Sequence, residues 1–174
     1  AQTDYTMPVA SLNGRLDAGA KAQLYSFRSD NQPTISFPGR APETDSTLLN
    51  NFNYKQNIYA AYTSYTGEIG KFGYQAGLRL EYATYEGSTL ALSGQKYFND
   101  FLNLFPSLFF SYQLNDKQQA QLSYTRRVNR PSFWNLMPFV DISDPLDTSI
   151  GNPGLVPEFI DHIELSVNHK STQG

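Results

Sequence analysis

Lys71-Phe72-Gly73-Tyr74-Gln75-Ala76-Gly77-Leu78-Arg79-Leu80-Glu81-Tyr82-Ala83-Thr84-Tyr85 is the stretch that decides the fold. One parity reads Phe72, Tyr74, Ala76, Leu78, Leu80, Tyr82 and the other Lys71, Gly73, Gln75, Gly77, Arg79, Glu81. Period two of this kind gives a β-strand with one apolar and one polar face. From Phe72 to Tyr82 the strand runs about 34 Å, and a tilt of about 40° turns that into a rise of roughly 26 Å. An outer-membrane barrel presents an apolar band about 25 Å tall, edged by aromatic girdles. Phe72 and Tyr74 then mark the periplasmic girdle and Tyr82 the outer one. The opposite parity carries glycine and charge, as a wall facing a wet lumen requires.

The same alternation extends along the chain. Leu12 to Phe27 sets Leu12, Leu16, Ala18, Ala20, Ala22 and Leu24 against Arg15, Asp17, Lys21 and Gln23. Phe52, Tyr54, Ile58, Ala60 and Tyr62 are read as the apolar face of a second strand, with Gln56 and Tyr59 violating the pattern. A fourth strand carries Leu102, Leu104, Leu108, Phe110, Tyr112 and Leu114, a fifth Ala120, Leu122 and Tyr124, and a sixth Phe159, Ile163, Leu165 and Val167. Connections alternate in length. A Pro- and Ser-rich stretch from Ser29 to about Leu48, a loop from Glu86 to about Asn99 and a loop from Pro131 to Pro157 take turns with tight turns at Gly67-Glu68-Ile69-Gly70 and Asn115-Asp116-Lys117. Long loops at one end and short turns at the other describe a membrane barrel. The fold class expected is therefore all-β: an antiparallel up-and-down meander of about six strands, part of an outer-membrane β-barrel. Leu78, Leu80, Leu108, Phe110 and Leu122 should share one lipid-facing surface. The alternative is a secreted all-β glycan-binding or adhesion module that packs the same residues into a closed core.

Composition narrows the function classes. The 174 residues contain 14% aromatic and only 17% charged residues, too many aromatics for a disordered chain. No apolar run approaches the roughly 20 residues of a spanning helix. A net charge of -3 offers no basic field for nucleic acid, and the lack of cysteine excludes a disulfide scaffold or thiol nucleophile. No hydrolase elbow, zinc-protease helix motif, phosphate loop or dinucleotide fingerprint occurs, so an enzyme, a cofactor and a metal are all unexpected. In the loop from Asp141 to Asp147 three carboxylates lack the glycine and closing glutamate of a calcium loop.

Several segments in a consistent order resemble the TonB-dependent receptor-like outer-membrane barrels of Bacteroidetes. They are Phe105-Pro106-Ser107, Leu122-Ser123-Tyr124-Thr125-Arg126-Arg127, Arg130-Pro131-Ser132, Leu136-Met137-Pro138-Phe139, Gly151-Asn152-Pro153-Gly154-Leu155-Val156-Pro157-Glu158 and Ile163-Glu164-Leu165. Tyr74 to Glu81 resembles the same family one hairpin earlier. The resemblance implies a barrel of about 22 strands around a plug, energised by an inner-membrane complex, and a place in the bacterial outer membrane. Residues 1–174 are then expected to be one unit, an internal piece of barrel without its plug, contacting outer-membrane lipid and a small-molecule or glycan solute, and self-associating through its open edges when isolated. Arg79, Glu81 and Arg127 are candidates for the lumen wall, where charge pairing that fixes register competes with a solute site. Arg126, on the lipid parity, is a candidate for anionic headgroups. Phe133, Trp134, Phe139, Asp141 and Asp144 are candidate ligand contacts in the long extracellular loop, where a small loop core is the competing reading.

Overall fold

Gln2–Val9 (β1), Gly14–Asn31 (β2), Thr34–Ile35 (β3), Glu43–Thr44 (β4), Asn50–Ile69 (β5), Phe72–Thr89 (β6), Lys96–Asn115 (β7), Gln118–Asn129 (β8), Phe133–Leu136 (α1), Val140–Asp144 (β9), Asp147–Ile150 (β10) and Glu158–His169 (β11) follow one another along the chain. This computed structural model describes residues 1–10, 13–31, 34–44, 50–89, 96–136, 140–144 and 147–170, with the backbone alone at 31, 35, 50, 89, 133, 140–144 and 147–149. The long strands make one antiparallel sheet in the order β1-β2-β5-β6-β7-β8-β11. The small ribbons β3-β4 and β9-β10 sit in the two long connections. This is the up-and-down meander expected, with a seventh strand at its edge. β1 also alternates, with Thr3, Tyr5, Met7 and Val9 opposed by Gln2, Asp4, Thr6 and Pro8.

Tight turns lie at one end of the sheet. Gly70 takes a positive φ of 61° between β5 and β6, and the Lys117 N–H donates to Asn115 Oδ1 at 2.9 Å between β7 and β8. The expected long loop from Glu86 to Asn99 is mostly strand, since β6 and β7 stay paired as far as Ser88 and Lys96. Leu12 and Leu48 lie outside the described residues.

Directly opposed side chains in an antiparallel pair share a face, so the register assigns the two surfaces. Leu16, Ala18 and Ala20 on β2 join Tyr65, Thr63 and Ala61 on β5, then Ala76, Leu78 and Leu80 on β6 and Leu108, Pro106 and Leu104 on β7. Leu122 on β8 sits opposite Phe110 and Leu165 on this same outer face. Leu78, Leu80, Leu108 and Leu122 are each more than a third exposed, so they do not form a closed core. The register corrects the reading of β5. Ile58, Ala60 and Tyr62 oppose Ala83, Glu81 and Arg79, which puts the face counted as lipid-facing on the inner side.

Strand length explains that reversal. β5 and β7 have 20 residues and β2 and β6 have 18. Twenty residues span about 65 Å and, tilted by about 40°, rise about 50 Å, twice the height of the apolar band. Above Tyr59 and Tyr82, which oppose each other on the outer face, that face turns polar with Asn57, Thr84, Lys55, Glu86, Asn53 and Ser88. The inner face there turns apolar. Phe52, Tyr54, Ile58, Ala83 and Tyr85 form the buried core, joined by Phe27, Phe101 and Leu136. Leu136 belongs to α1, so the long loop after β8 folds back over the inner face at the outer end. The Asn99 side chain donates to the Pro153 carbonyl at 3.3 Å, and Pro157 is buried.

Candidate functional site

The inner face below this canopy is mostly polar, with Phe105 beside Arg79 and Phe109 beside Gln75 as the apolar exceptions on β7. On β6 the alternation leaves Arg79 and Glu81 neighbours on that face. Arg79 Nη2 and Nε donate to Glu81 Oε2 at 2.8 and 3.2 Å. The second carboxylate oxygen pairs with Arg130, just past the end of β8. Glu81 is only 4% exposed, and burying a carboxylate so far from water is costly unless charge partners offset it, as Arg79 and Arg130 do. Beyond the strand end, burial and then the nearby Arg79 guanidinium hold the Arg130 pKa below the usual arginine value.

The wall continues sideways through Tyr62, whose ring lies under the Arg79 guanidinium at 5.9 Å. Its hydroxyl donates to Asp4 on β1 and accepts from the Gln2 amide at 3.1 Å. To reach Asp4 the ring must lie across β2, and Gly19 is the residue it crosses. A Cβ at Gly19 would sit 2.6 Å from the Tyr62 ring and 2.7 Å from the Thr3 carbonyl oxygen. Lower on the same face, Thr6 donates to Asp17 at 2.7 Å and Arg15 pairs with that carboxylate at 3.0 Å.

Two of the three expected wall residues, Arg79 and Glu81, therefore meet. Arg127 shares their face but is exposed and forms no ion pair with them; Arg130 takes that place. The sequence marks Arg130 only as part of Arg130-Pro131-Ser132, because a residue past a strand end has no assignable face. Tyr62 and Asp4 were likewise hidden by the β5 parity and by the unrecognised edge strand. Arg126 is on the outer face, as its parity requires, but it is already engaged. Its Nε and Nη2 donate to both carboxylate oxygens of Asp161 at 2.8 Å, and the Tyr124 hydroxyl donates to the same carboxylate at 2.8 Å. That neutral cluster leaves no free cation for an anionic headgroup at Arg126. Of the loop candidates, Trp134 is 67% exposed on α1. Phe139 lies outside the described residues, as do the side chains of Phe133, Asp141 and Asp144.

A profile described as the Outer membrane protein beta-barrel family matches residues 1–173. The chain belongs to this family. No curated protein and no solved structure matches it. Membership places the protein in the bacterial outer membrane and makes the leucine-rich outer face of β2 and β5–β8 the surface that meets lipid. The Arg79–Glu81–Arg130 group then belongs to the lumen side of a barrel wall, and the core above Tyr59 and Tyr82 to its extracellular rim.

Proposed function

We propose that this chain is part of the barrel wall of a TonB-dependent receptor, acting in ligand capture and nutrient uptake at the cell surface rather than as an enzyme. The ordered motif set from Phe105 to Leu165 supports the receptor class. The observation that carries the reading is the inner face itself. An open diffusion pore keeps its lumen wall free for water and solute, whereas here Arg79, Glu81 and Arg130 satisfy one another and a folded loop covers the outer end. A wall of that kind suits a barrel whose lumen is occupied by a plug and whose ligand is met at the extracellular rim. Plug and inner-membrane energy-transducing complex are the partners this reading requires, with outer-membrane lipid on the other face.

The test is photo-crosslinking in cells that express the natural protein, with a photoreactive residue at Gln75 on the inner face or at Leu78 on the outer. Gln75 should trap a plug segment and Leu78 lipid. Porin-like conductance of the purified protein in planar bilayers, together with no protein crosslink from Gln75, would overturn the assignment.

A further inference from the structure

Above the membrane band the outer face carries a second surface, built on β2, β5, β6 and β7. Two rows of the register run straight across these four strands, which stay paired with one another through both. The lower row is Ser26, Lys55, Glu86 and Phe98. The upper row is Arg28, Asn53, Ser88 and Lys96. Both rows share the parity of Tyr59 and Tyr82, so they continue upward the surface that meets lipid below. Together their side chains line a hollow of about 640 Å³.

Height decides what this hollow meets. Lys55 and Glu86 lie four residues beyond the Tyr59–Tyr82 pair, about 14 Å along the strand and about 10 Å higher after tilt. Asn53 and Ser88 lie six residues beyond it, about 16 Å higher. The polar layer of a phospholipid leaflet is only about 5–8 Å deep, so phospholipid heads end below the hollow. A glycolipid, whose sugars stand above its acyl chains, reaches it.

The side chains of the two rows suit a phosphorylated sugar. Among the described residues neither Lys55 nor Lys96 forms an ion pair, although Glu86 stands opposite Lys55. Arg28 pairs with Asp30 at 2.8 Å, and both remain exposed. Two unpaired lysines and the Arg28–Asp30 pair therefore surround a single uncompensated carboxylate, which leaves the hollow with a surplus of positive charge for phosphate. Phe98 is 60% exposed at a height where no hydrocarbon covers it. An aromatic ring ringed by a few polar donors is the make-up of a ligand site. The flat side of a sugar ring supplies the cover that Phe98 lacks, and Ser26, Asn53 and Ser88 supply hydrogen bonds for its hydroxyls.

We propose that this hollow binds the phosphorylated-sugar head of an outer-leaflet glycolipid, with Lys55 and Lys96 on phosphate and Phe98 against a sugar ring. The acyl chains of the same molecule lie along the apolar face below Tyr59 and Tyr82. Such a site fixes the height of the barrel in the outer leaflet and is independent of what the lumen accepts.

The test titrates the natural protein, purified in detergent, with lipid and reads the bound lipid by native mass spectrometry. The probes are a rough lipopolysaccharide of defined structure, the same molecule stripped of its phosphates, phosphatidylglycerol and free glucosamine phosphate. The parent should hold the intact lipopolysaccharide, and Lys55→Gln with Lys96→Gln should weaken that binding roughly tenfold. Lys55→Arg with Lys96→Arg should keep it. The glutamine pair should leave binding of the stripped molecule unchanged, whereas Phe98→Ala should weaken both forms. Lys71→Gln with Lys117→Gln, in the tight turns at the other end of the sheet, should change neither. The gel mobility of the heat-untreated barrel reports folding, and Phe98→Ala stands in if the glutamine pair does not fold. Phosphatidylglycerol bound as tightly as lipopolysaccharide would mean a general anionic surface, and free glucosamine phosphate bound as tightly would mean a soluble ligand; either result, or no loss in the folded variants, would overturn the glycolipid site.

Discussion

A charge scan along the two parities of β6 measures where the membrane ends. Leu78 lies near the middle of the Phe72–Tyr82 span and is 46% exposed on the outer face. An arginine there faces hydrocarbon and should cost about 2–4 kcal/mol. Gln75 is on the inner face, so Gln75→Arg should cost little. Thr84 shares the parity of Leu78 six residues further on, about 20 Å along the strand and about 16 Å higher after tilt, whereas the half-height of the band is only about 12 Å. Thr84→Arg should therefore cost no more than about 1 kcal/mol despite standing on the same face. Equilibrium unfolding of the natural protein in lipid vesicles, followed by tryptophan fluorescence, supplies the three numbers. Equal costs for Leu78→Arg and Gln75→Arg would refute the assignment of faces. A Thr84→Arg cost equal to that of Leu78→Arg would refute the claim that the strands rise well clear of the bilayer.

Gly19→Val should destabilise by about 1–3 kcal/mol through overpacking against Tyr62 and Thr3, read by the same unfolding assay. Phe52→Ala, which empties the centre of the buried core, should cost about 3–5 kcal/mol and expose the 130–157 loop to protease added to intact cells. Asp161→Asn leaves the Arg126 guanidinium on the outer face without its counter-charge and should destabilise strongly. Arg126→Leu with Asp161→Leu together should be far milder, a contrast that a double-mutant cycle reports.

How far the sequence could be read depended on whether one strand met one environment. β6 is legible because Phe72 to Tyr82 lies wholly within the band, and β8 and β11, with 12 residues each, are short enough for one parity to hold throughout. β5 misleads because it crosses two environments. Its upper half packs Phe52, Tyr54 and Ile58 inward against the core, while its lower half turns Thr63 and Tyr65 outward beside Leu78 and Ala76. One apolar parity cannot serve both halves, and Tyr59, which breaks the alternation, is the residue at the boundary. The candidate site suffered differently. Arg79 and Glu81 are two apart on one strand, so their shared face is a local fact. Arg130 reaches Glu81 from past the end of β8, which depends on distant packing and leaves no periodic trace.

Glu81 sits where these two halves of the wall meet. Below it the inner face is polar, with Arg79, Tyr62, Asp4 and Asp17; above it Ala83, Ile58 and Tyr85 begin the apolar core. A strand standing in water on its outer side must bury its apolar residues inward, which inverts the pattern that serves in lipid. The inversion needs a cover, and the 130–157 loop provides it by bringing Leu136 and Pro157 against the wall. A carboxylate at the lower edge of that cover loses its water when the loop closes. Without counter-charges it would oppose the closure; with Arg79 from its own strand and Arg130 from the base of the loop it favours it. The same residue that would be costly in an uncovered apolar seat thus ties the loop's position to the lumen wall, so a change at either end of the ion pair is felt at both the rim and the membrane-level wall.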